Sequence, residues 1–204
     1  MSASAAKPDS ERLFEIAESQ QGYFSTPQAV AAGYARSTHS YHVEAENWVR
    51  EHRGVYRLRK YPRGEEGPLV LWSLWSRNRE GKPQGVYSHL TALSVKELSD
   101  ANPAKLDMTV PPEFRRNGEV PAVLRLHKAR LTADEIILER GYAVTTPMRA
   151  ILDLAISGEA DHDLIAQAIN EGQSRGLITR KQAATAYARR DIPSWLRPLL
   201  ETRL

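Results

Sequence analysis

The order of predicted elements indicates an α+β protein built from two parts. Three short helical patterns and a two-stranded hairpin pattern fill the first 63 residues, whereas the rest of the chain mixes short strands with amphipathic helices. With 204 residues, 41% of them hydrophobic, the chain is long enough for two apolar cores. We therefore predict one domain at residues 1–63 and a second at 68–204. The segment 61–67, with its glycines and proline, is the predicted linker.

The first two helices are defined by their ends. The first follows the capping candidates Asp9 and Ser10, carries apolar residues at helical spacing, and ends by Gly22. A hydroxyl cap and a first-turn proline at residues 25–27 then open a short second helix. Gly33 ends this helix and leaves a tight break before the next one.

Ser37 or Thr38 can cap the third helix, which is expected to run to about Glu46. Two phasings fit its apolar positions. One turns Tyr41, Ala45 and Trp48 inward, and the other buries His39, His42 and Val43. We prefer the second, because it leaves hydroxyl and guanidinium donors exposed at the helix N-terminus, where helices of this kind meet DNA.

A basic hairpin follows. Apolar residues alternate around Val49 and Val55, and Arg53-Gly54 marks the turn. Between Trp48 and Arg63 the chain carries six basic residues against one acid, a net charge of +5, although the whole protein is only +3. Such a run can be a plain solvated face. Behind a helix-turn-helix it favours a winged helix-turn-helix domain whose wing lies against phosphates.

The candidate DNA-binding residues come from all three elements of this head. They are Thr26 and Gln28 in the second helix; Arg36, Ser37, Thr38, Ser40 and Tyr41 in the third; and Arg50, Arg53 and Arg57 in the wing. The expected partner is double-stranded DNA.

The second domain is predicted as a small sheet with C-terminal helices. Residues 106–110 alternate as a half-buried strand does, and 123–126 and 142–144 are further strand candidates. Helical patterns cover 69–75 and 88–98. Thr146-Pro147 starts a helix, and Thr179 with Gln182 has the spacing of a capping box.

Catalytic and metal chemistry find little support in the sequence. There is no cysteine, so disulfides and thiolate metal sites are excluded, and we interpret His39 and His42 as packing residues. Asp161-His162-Asp163 is interpreted as helix capping and Ser88-His89 as a helix start. No phosphate loop or nucleophile elbow is found. We expect no enzyme activity, no cofactor and no metal.

The sequence leaves one catalytic alternative open, a nuclease. Asp107 lies on a predicted strand, as the acidic residue of restriction-type nucleases does, but no Glu-x-Lys follows it. A nuclease targeted by the head would lose its cleavage on changing Asp107 or Asp153.

The sequence is typical of a cytoplasmic protein. Residues 1–7 lack an apolar signal core, and no stretch approaches the roughly 20 apolar residues that span a membrane. A chain without cysteine also fits a reducing compartment.

Several motifs resemble the AbiEi family of antitoxins from type IV toxin-antitoxin systems. In the head these are Gly22-Tyr23-Phe24-Ser25-Thr26-Pro27-Gln28-Ala29, Gly33-Tyr34-Ala35-Arg36 and Arg53-Gly54-Val55-Tyr56-Arg57-Leu58. In the body they are Ser88-His89-Leu90-Thr91-Ala92-Leu93, Thr109-Val110-Pro111-Pro112, Leu126-His127, Val144-Thr145-Thr146-Pro147-Met148-Arg149 and Arg175-Gly176-Leu177-Ile178. One departure from the family motifs is Glu46, at a position where relatives often carry glycine. Its acidic side chain favours base reading by the first turns of the third helix.

The resemblance implies an autorepressor that binds inverted repeats in its own promoter. It further implies that the C-terminal domain counters a nucleotidyltransferase-like toxin without forming a stable complex with it. A stand-alone regulator with no toxin partner is the alternative, and the adjacent gene distinguishes the two.

Overall fold

The computed structural model describes residues 7–100, 103–116 and 118–201. Residues 1–6, on which the expectation of a missing signal core mainly rests, lie outside these ranges. The chain divides into two compact units, Met1–Gly85 with Leu138–Tyr142, and Val86–Ile137 with Ala143–Leu204. In this division the first unit extends past the predicted boundary between the domains at 1–63 and 68–204 and takes in a short segment from much later in the chain.

The described residues of the first unit form four α-helices and a three-stranded antiparallel sheet. The helices are α1 (Ser10–Glu18), α2 (Thr26–Ala31), α3 (His39–Glu44) and α4 (Gly67–Trp75). The strands are β1 (Tyr23–Ser25), β2 (Trp48–His52) and β3 (Val55–Leu58), in the order β1-β3-β2. A 3-10 turn, Arg36–Thr38, precedes α3.

An aromatic core holds this unit together. Phe24, Trp48 and Tyr56 come from the three strands, and their rings lie 4.9 to 5.8 Å apart. Leu13 and Ala17 of α1 close the core from one side. Burying large aromatic side chains contributes several kcal/mol in total, about 1.5–3 kcal/mol for each one that is fully buried.

The predicted linker is part of this first unit. Arg57 donates to the carbonyl oxygen of Tyr61 at 2.7 Å, and Gly67 is buried at the start of α4. The segment Leu138–Tyr142 is held here as well, since Arg140 donates two hydrogen bonds to the carbonyl oxygen of Glu18 at the end of α1. A guanidinium at that position adds donors to a carbonyl at the helix C-terminus and complements the helix dipole.

The second unit is a five-stranded mixed sheet with helices. Its strands are β4 (Val86–Tyr87), β5 (Leu106–Val110), β6 (Leu124–Lys128), β7 (Ile136–Leu138) and β8 (Ala143–Thr145), in the order β6-β5-β4-β8-β7. Its helices are α5 (His89–Val95), α6 (Pro147–Ser157), α7 (His162–Ser174), α8 (Arg180–Tyr187) and α9 (Leu196–Glu201). Strand β5 pairs parallel with β6 and antiparallel with β4. The predicted α+β class is confirmed.

Helix starts in the second unit follow the sequence signals with two exceptions. Ser88 occupies the N-cap of α5, but its side chain makes no capping hydrogen bond. Thr146 accepts from the amide of Arg149, and Thr179 forms the predicted capping box with Gln182. Asp161 occupies the N-cap of α7, but its side chain makes no capping hydrogen bond there. None of the helices in the described ranges is long and apolar enough to cross a membrane.

Candidate nucleic-acid interface

The turn between α2 and α3 is set by local interactions. Ser25 accepts from the amide of Gln28, and the Gln28 side chain accepts from the amide of Ser25, so α2 begins with a complete capping box. After α2, Gly33 adopts φ +85°, which a side chain would strain. A Cβ there would also lie 2.4 Å from the carbonyl oxygen of Lys7. The chain therefore needs glycine to turn from α2 toward α3.

The inner face of α3 follows the preferred phasing. His39 is buried, and its Nε2 lies 3.1 Å from the carbonyl oxygen of Tyr34. His42 stacks on Trp48 with ring centroids 4.6 Å apart, and Val43 packs against the core. Burial lowers the pKa of His42, and the neighbouring His39 lowers it further. Both histidines are packing groups of the core.

The outer face of the same segment is open to solvent. Arg36, Ser37, Thr38, Ser40 and Tyr41 are all exposed, and Tyr41 is 63% accessible. Thr38 donates its hydroxyl to the carbonyl oxygen of Ala35 at 2.8 Å, so it steadies the turn and does not cap α3. The 3-10 turn and the first turn of α3 together present guanidinium, hydroxyl and phenol groups, which suit contacts with base edges and phosphates.

The wing is the β2–β3 hairpin that turns at Arg53-Gly54, as predicted. Gly54 has φ +72°, and its carbonyl oxygen accepts from the amide of Thr26 at 3.0 Å and from Arg77 at 3.1 Å. Two donors on one carbonyl fix the wing turn next to the N-terminus of α2. Arg77 was missed by the sequence analysis, and no pattern in the chain links it to residue 54.

Arg50 and Arg53 are the exposed cations of the wing. Both side chains are exposed, and neither forms an ion pair within the part of the chain that the structure describes. Two further exposed arginines near the wing are partly neutralised, because Arg59 lies 3.1 Å from Glu46 and Arg63 lies 3.2 Å from Glu51. Arg50 and Arg53 therefore remain available for phosphate contacts.

Arg57 is a correction to the predicted site. It is only 5% exposed, its Nε lies 2.8 Å from Glu51, and its Nη1 donates to the carbonyl oxygens of Leu58 and Tyr61. The register of β2 against β3 shifts between Arg50 and His52, which places Glu51 at the irregularity. Arg57 stabilises the base of the wing, and its burial keeps the guanidinium away from a phosphate in this arrangement.

Gln28 is the second correction. Its Oε1 accepts from the Ser25 amide at 2.7 Å, and its Nε2 donates to Gln20 at 2.9 Å. Both ends of the amide are therefore occupied by capping and by a link to the end of α1. Thr26 is half-buried at the first position of α2, and its hydroxyl lies beside the wing turn.

The two acids of the nuclease alternative lie in different networks of the second unit. Asp107 contacts His127 and Arg125, whereas Asp153 pairs with Arg149, which also binds Glu135. Burial raises the pKa of Glu135, but hydrogen bonds from Thr132 and Arg149 outweigh it and lower that pKa overall.

The comparisons with known proteins agree with the geometry of the head. The sequence model of a family described as "Transcriptional regulator, AbiEi antitoxin" matches residues 11–59, which span α1 to β3. We refer to residues 11–59, the part of the chain that is similar to this family model, as the AbiEi segment. The AbiEi segment has the helix, turn, helix and hairpin of a winged helix-turn-helix, and the predicted fold is confirmed.

Beyond the AbiEi segment, the comparison with solved structures shows the fold alone. The chain is similar to the RV2827C protein from Mycobacterium tuberculosis, with a TM-score of 0.55 and 12% sequence identity. The similarity covers 98% of this chain and 81% of that one. No curated protein matches the sequence.

Proposed function

We propose that this protein is a cytoplasmic transcriptional autorepressor and antitoxin of a type IV toxin-antitoxin system, and that it acts without catalysis. The observation that carries the DNA-binding part is the exposed polar N-terminus of α3 together with the exposed cations Arg50 and Arg53 of the wing. The AbiEi family match supports a regulator and an antitoxin.

In this proposal the two elements divide the work of recognition. Arg36, Ser40 and Tyr41 contact base edges in the major groove, because the N-terminal residues of a recognition helix reach deepest there. Arg50 and Arg53 neutralise phosphates on the flank. The operator is an inverted repeat in the protein's own promoter, and each half-site accepts one copy of the head.

The DNA-binding part is tested by the salt dependence of promoter binding. Each phosphate neutralised contributes about −0.9 to the slope of log K against log salt concentration, so the double variant Arg50→Ala, Arg53→Ala should have a slope shallower by about 1.8. The matched control is Arg180→Ala, Lys181→Ala, which removes the same charge from two exposed positions of α8. Equal salt slopes for the two double variants would show that the wing does not contact the DNA phosphates.

The antitoxin part is tested separately in cells that express the adjacent gene. That gene should encode a nucleotidyltransferase-like toxin, and the protein should restore growth. The Arg50→Ala, Arg53→Ala variant should still restore growth from an independent promoter, since the antitoxin role is assigned to the second unit, and affinity purification should recover no stable complex. A neighbouring gene of another kind would contradict the antitoxin part and leave the alternative of a stand-alone regulator.

A further inference from the structure

A buried polar cluster in the second unit has no part in the proposed DNA interface. Asp107 of β5 and His127 of β6 lie on adjacent parallel strands, and Nε2 of His127 is 3.0 Å from Oδ1 of Asp107. Asp107 is only 1% exposed, and His127 is 17% exposed. Glu159 follows the end of α6, and one ligand atom from each of the three residues lies within 4.8 Å of the others.

The Asp107 carboxylate is incompletely satisfied. Oδ1 contacts His127 and Arg125, whereas Oδ2 is buried and has no hydrogen-bond partner among the residues that the structure describes. Leaving a buried carboxylate oxygen unpaired costs free energy, on the order of 1–3 kcal/mol or more for a charged group. This oxygen marks a place where a cation would be stabilised.

The His127 ring is held in orientation by its neighbours. His89 stacks on it with ring centroids 3.7 Å apart and planes inclined by 15°. The Thr109 hydroxyl donates to the Ser88 hydroxyl, whose oxygen lies 2.9 Å from Nδ1 of His89. These hydrogen bonds fix the orientation of the His89 ring. His89 itself adopts φ +52°, a strained value for a non-glycine residue.

We propose that Asp107, His127 and Glu159 bind a divalent transition-metal ion such as Zn²⁺ or Mn²⁺. One imidazole and two carboxylates suit these ions better than Ca²⁺ or Mg²⁺, which prefer oxygen ligands alone. Ligands about 2.0–2.1 Å from a tetrahedral zinc lie roughly 3.3 Å from each other, close to the 3.0 Å between Asp107 and His127. Three protein ligands would leave a further position open.

Arg125 is the cation that occupies the cluster in this structure. Its Nη1 lies 2.7 Å from Glu159 and its Nε 3.5 Å from Asp107. Its side chain is 45% exposed, and ion pairs at such positions contribute little to stability. A metal ion can therefore displace the guanidinium into solvent, while Asp107 and His127 stay in the sheet.

The test is isothermal titration calorimetry of the tag-free, chelator-treated full chain with Zn²⁺ and with Mn²⁺. We expect one ion per chain. Removing one ligand by Glu159→Gln should weaken binding by at least the roughly 10–100-fold that loss of an outer-shell partner costs, and Asp107→Asn should weaken it more. Arg125→Met should tighten it, because the competing cation is gone. The matched control Glu171→Gln removes an exposed acid of α7 and should bind as the unaltered chain does.

Two results would overturn the proposal. One is no binding of either ion to both the unaltered chain and Arg125→Met. The other is equal affinity for Glu159→Gln and Glu171→Gln. Circular dichroism accompanies each variant, and if Asp107→Asn fails to fold, the half-exposed positions 125 and 159 decide the question alone.

Discussion

A substitution of Arg57 tests whether this arginine stabilises the wing, in contrast to the wing arginines that are proposed to bind DNA. We consider Arg57→Met, which keeps a long apolar side chain and removes the charge. The change deletes the 2.8 Å ion pair with Glu51 and two hydrogen bonds to carbonyl oxygens. The comparison variant is Arg53→Met at the exposed turn of the same hairpin.

The expected magnitude follows from burial. The side chains of Arg57 and Glu51 are 6% and 15% exposed, and removing one partner of such a pair costs about 3–5 kcal/mol. Glu51 keeps Arg63 at 3.2 Å, so we expect the lower end, about 3 kcal/mol. Arg53→Met should change the free energy of unfolding by less than about 0.5 kcal/mol, because it is a surface substitution.

Two assays measure this difference. Urea unfolding followed by tryptophan fluorescence reports mainly on the first unit, which contains Trp48, Trp72 and Trp75. Promoter titrations at several salt concentrations, under conditions where both variants are folded, report on phosphate contacts. Arg53→Met should reduce the slope by about 0.9, and Arg57→Met should leave it unchanged. A stable Arg57→Met protein with a shallower slope would refute the assignment.

Three further predictions concern the turn, the wing and the acid limit of stability. Gly33→Ala should destabilise the first unit by more than about 1 kcal/mol in thermal melts, whereas Gly158→Ala, with positive φ but open space around it, should cost less; equal losses would contradict the close approach to Lys7. Arg77→Met should speed hydrogen exchange at the wing turn, because the hydrogen bond from Arg77 to the Gly54 carbonyl is lost. Losing that bond, at about 1 kcal/mol, should weaken promoter binding several-fold and leave the salt slope unchanged. A shallower slope would make Arg77 a phosphate contact. Because the folded state lowers the pKa of Glu135 below its ordinary 4.5, its stabilising contribution is complete above that pH and is lost as pH falls further. Glu135→Gln should therefore lose less stability between neutral pH and pH of about 3.5 than the exposed control Glu119→Gln; parallel losses would exclude Glu135 as a source of acid sensitivity.

Local sequence signals predicted the elements of the head well. The break at Gly33, the inward phasing of His39 and His42, and the hairpin turn at Arg53-Gly54 all depend on residues close together in the chain. Such signals act through capping, periodicity and turn chemistry, which a single sequence displays directly.

The features that the sequence did not predict depend on distant residues. Strand β1 is only three residues long and exists because β3 pairs with it. Arg140 reaches a carbonyl 122 positions earlier, and this contact moves a late segment into the first unit. The inward turn of Arg57 depends on the irregularity at Glu51, which hydrophobic alternation does not reveal.

The metal hypothesis shows the same limit. His39 and His42 are close in the sequence, and the structure shows both to be packing residues, as predicted. The cluster of Asp107, His127 and Glu159 is spread over 52 residues and is brought together by parallel strand pairing and the end of α6. The spacing of these three residues in the sequence does not predict the cluster.

The most direct test of the DNA-binding account is a fluorescence-anisotropy titration of the full chain with its own promoter duplex and with a shuffled duplex of equal length and composition, at one physiological salt concentration. Exposed side chains on the first turn of α3 should read bases, so the promoter should bind at least about 1,000-fold more tightly than the shuffled duplex. Equal affinities would show that only the charge of the wing is recognised, and would contradict a sequence-reading role for α3.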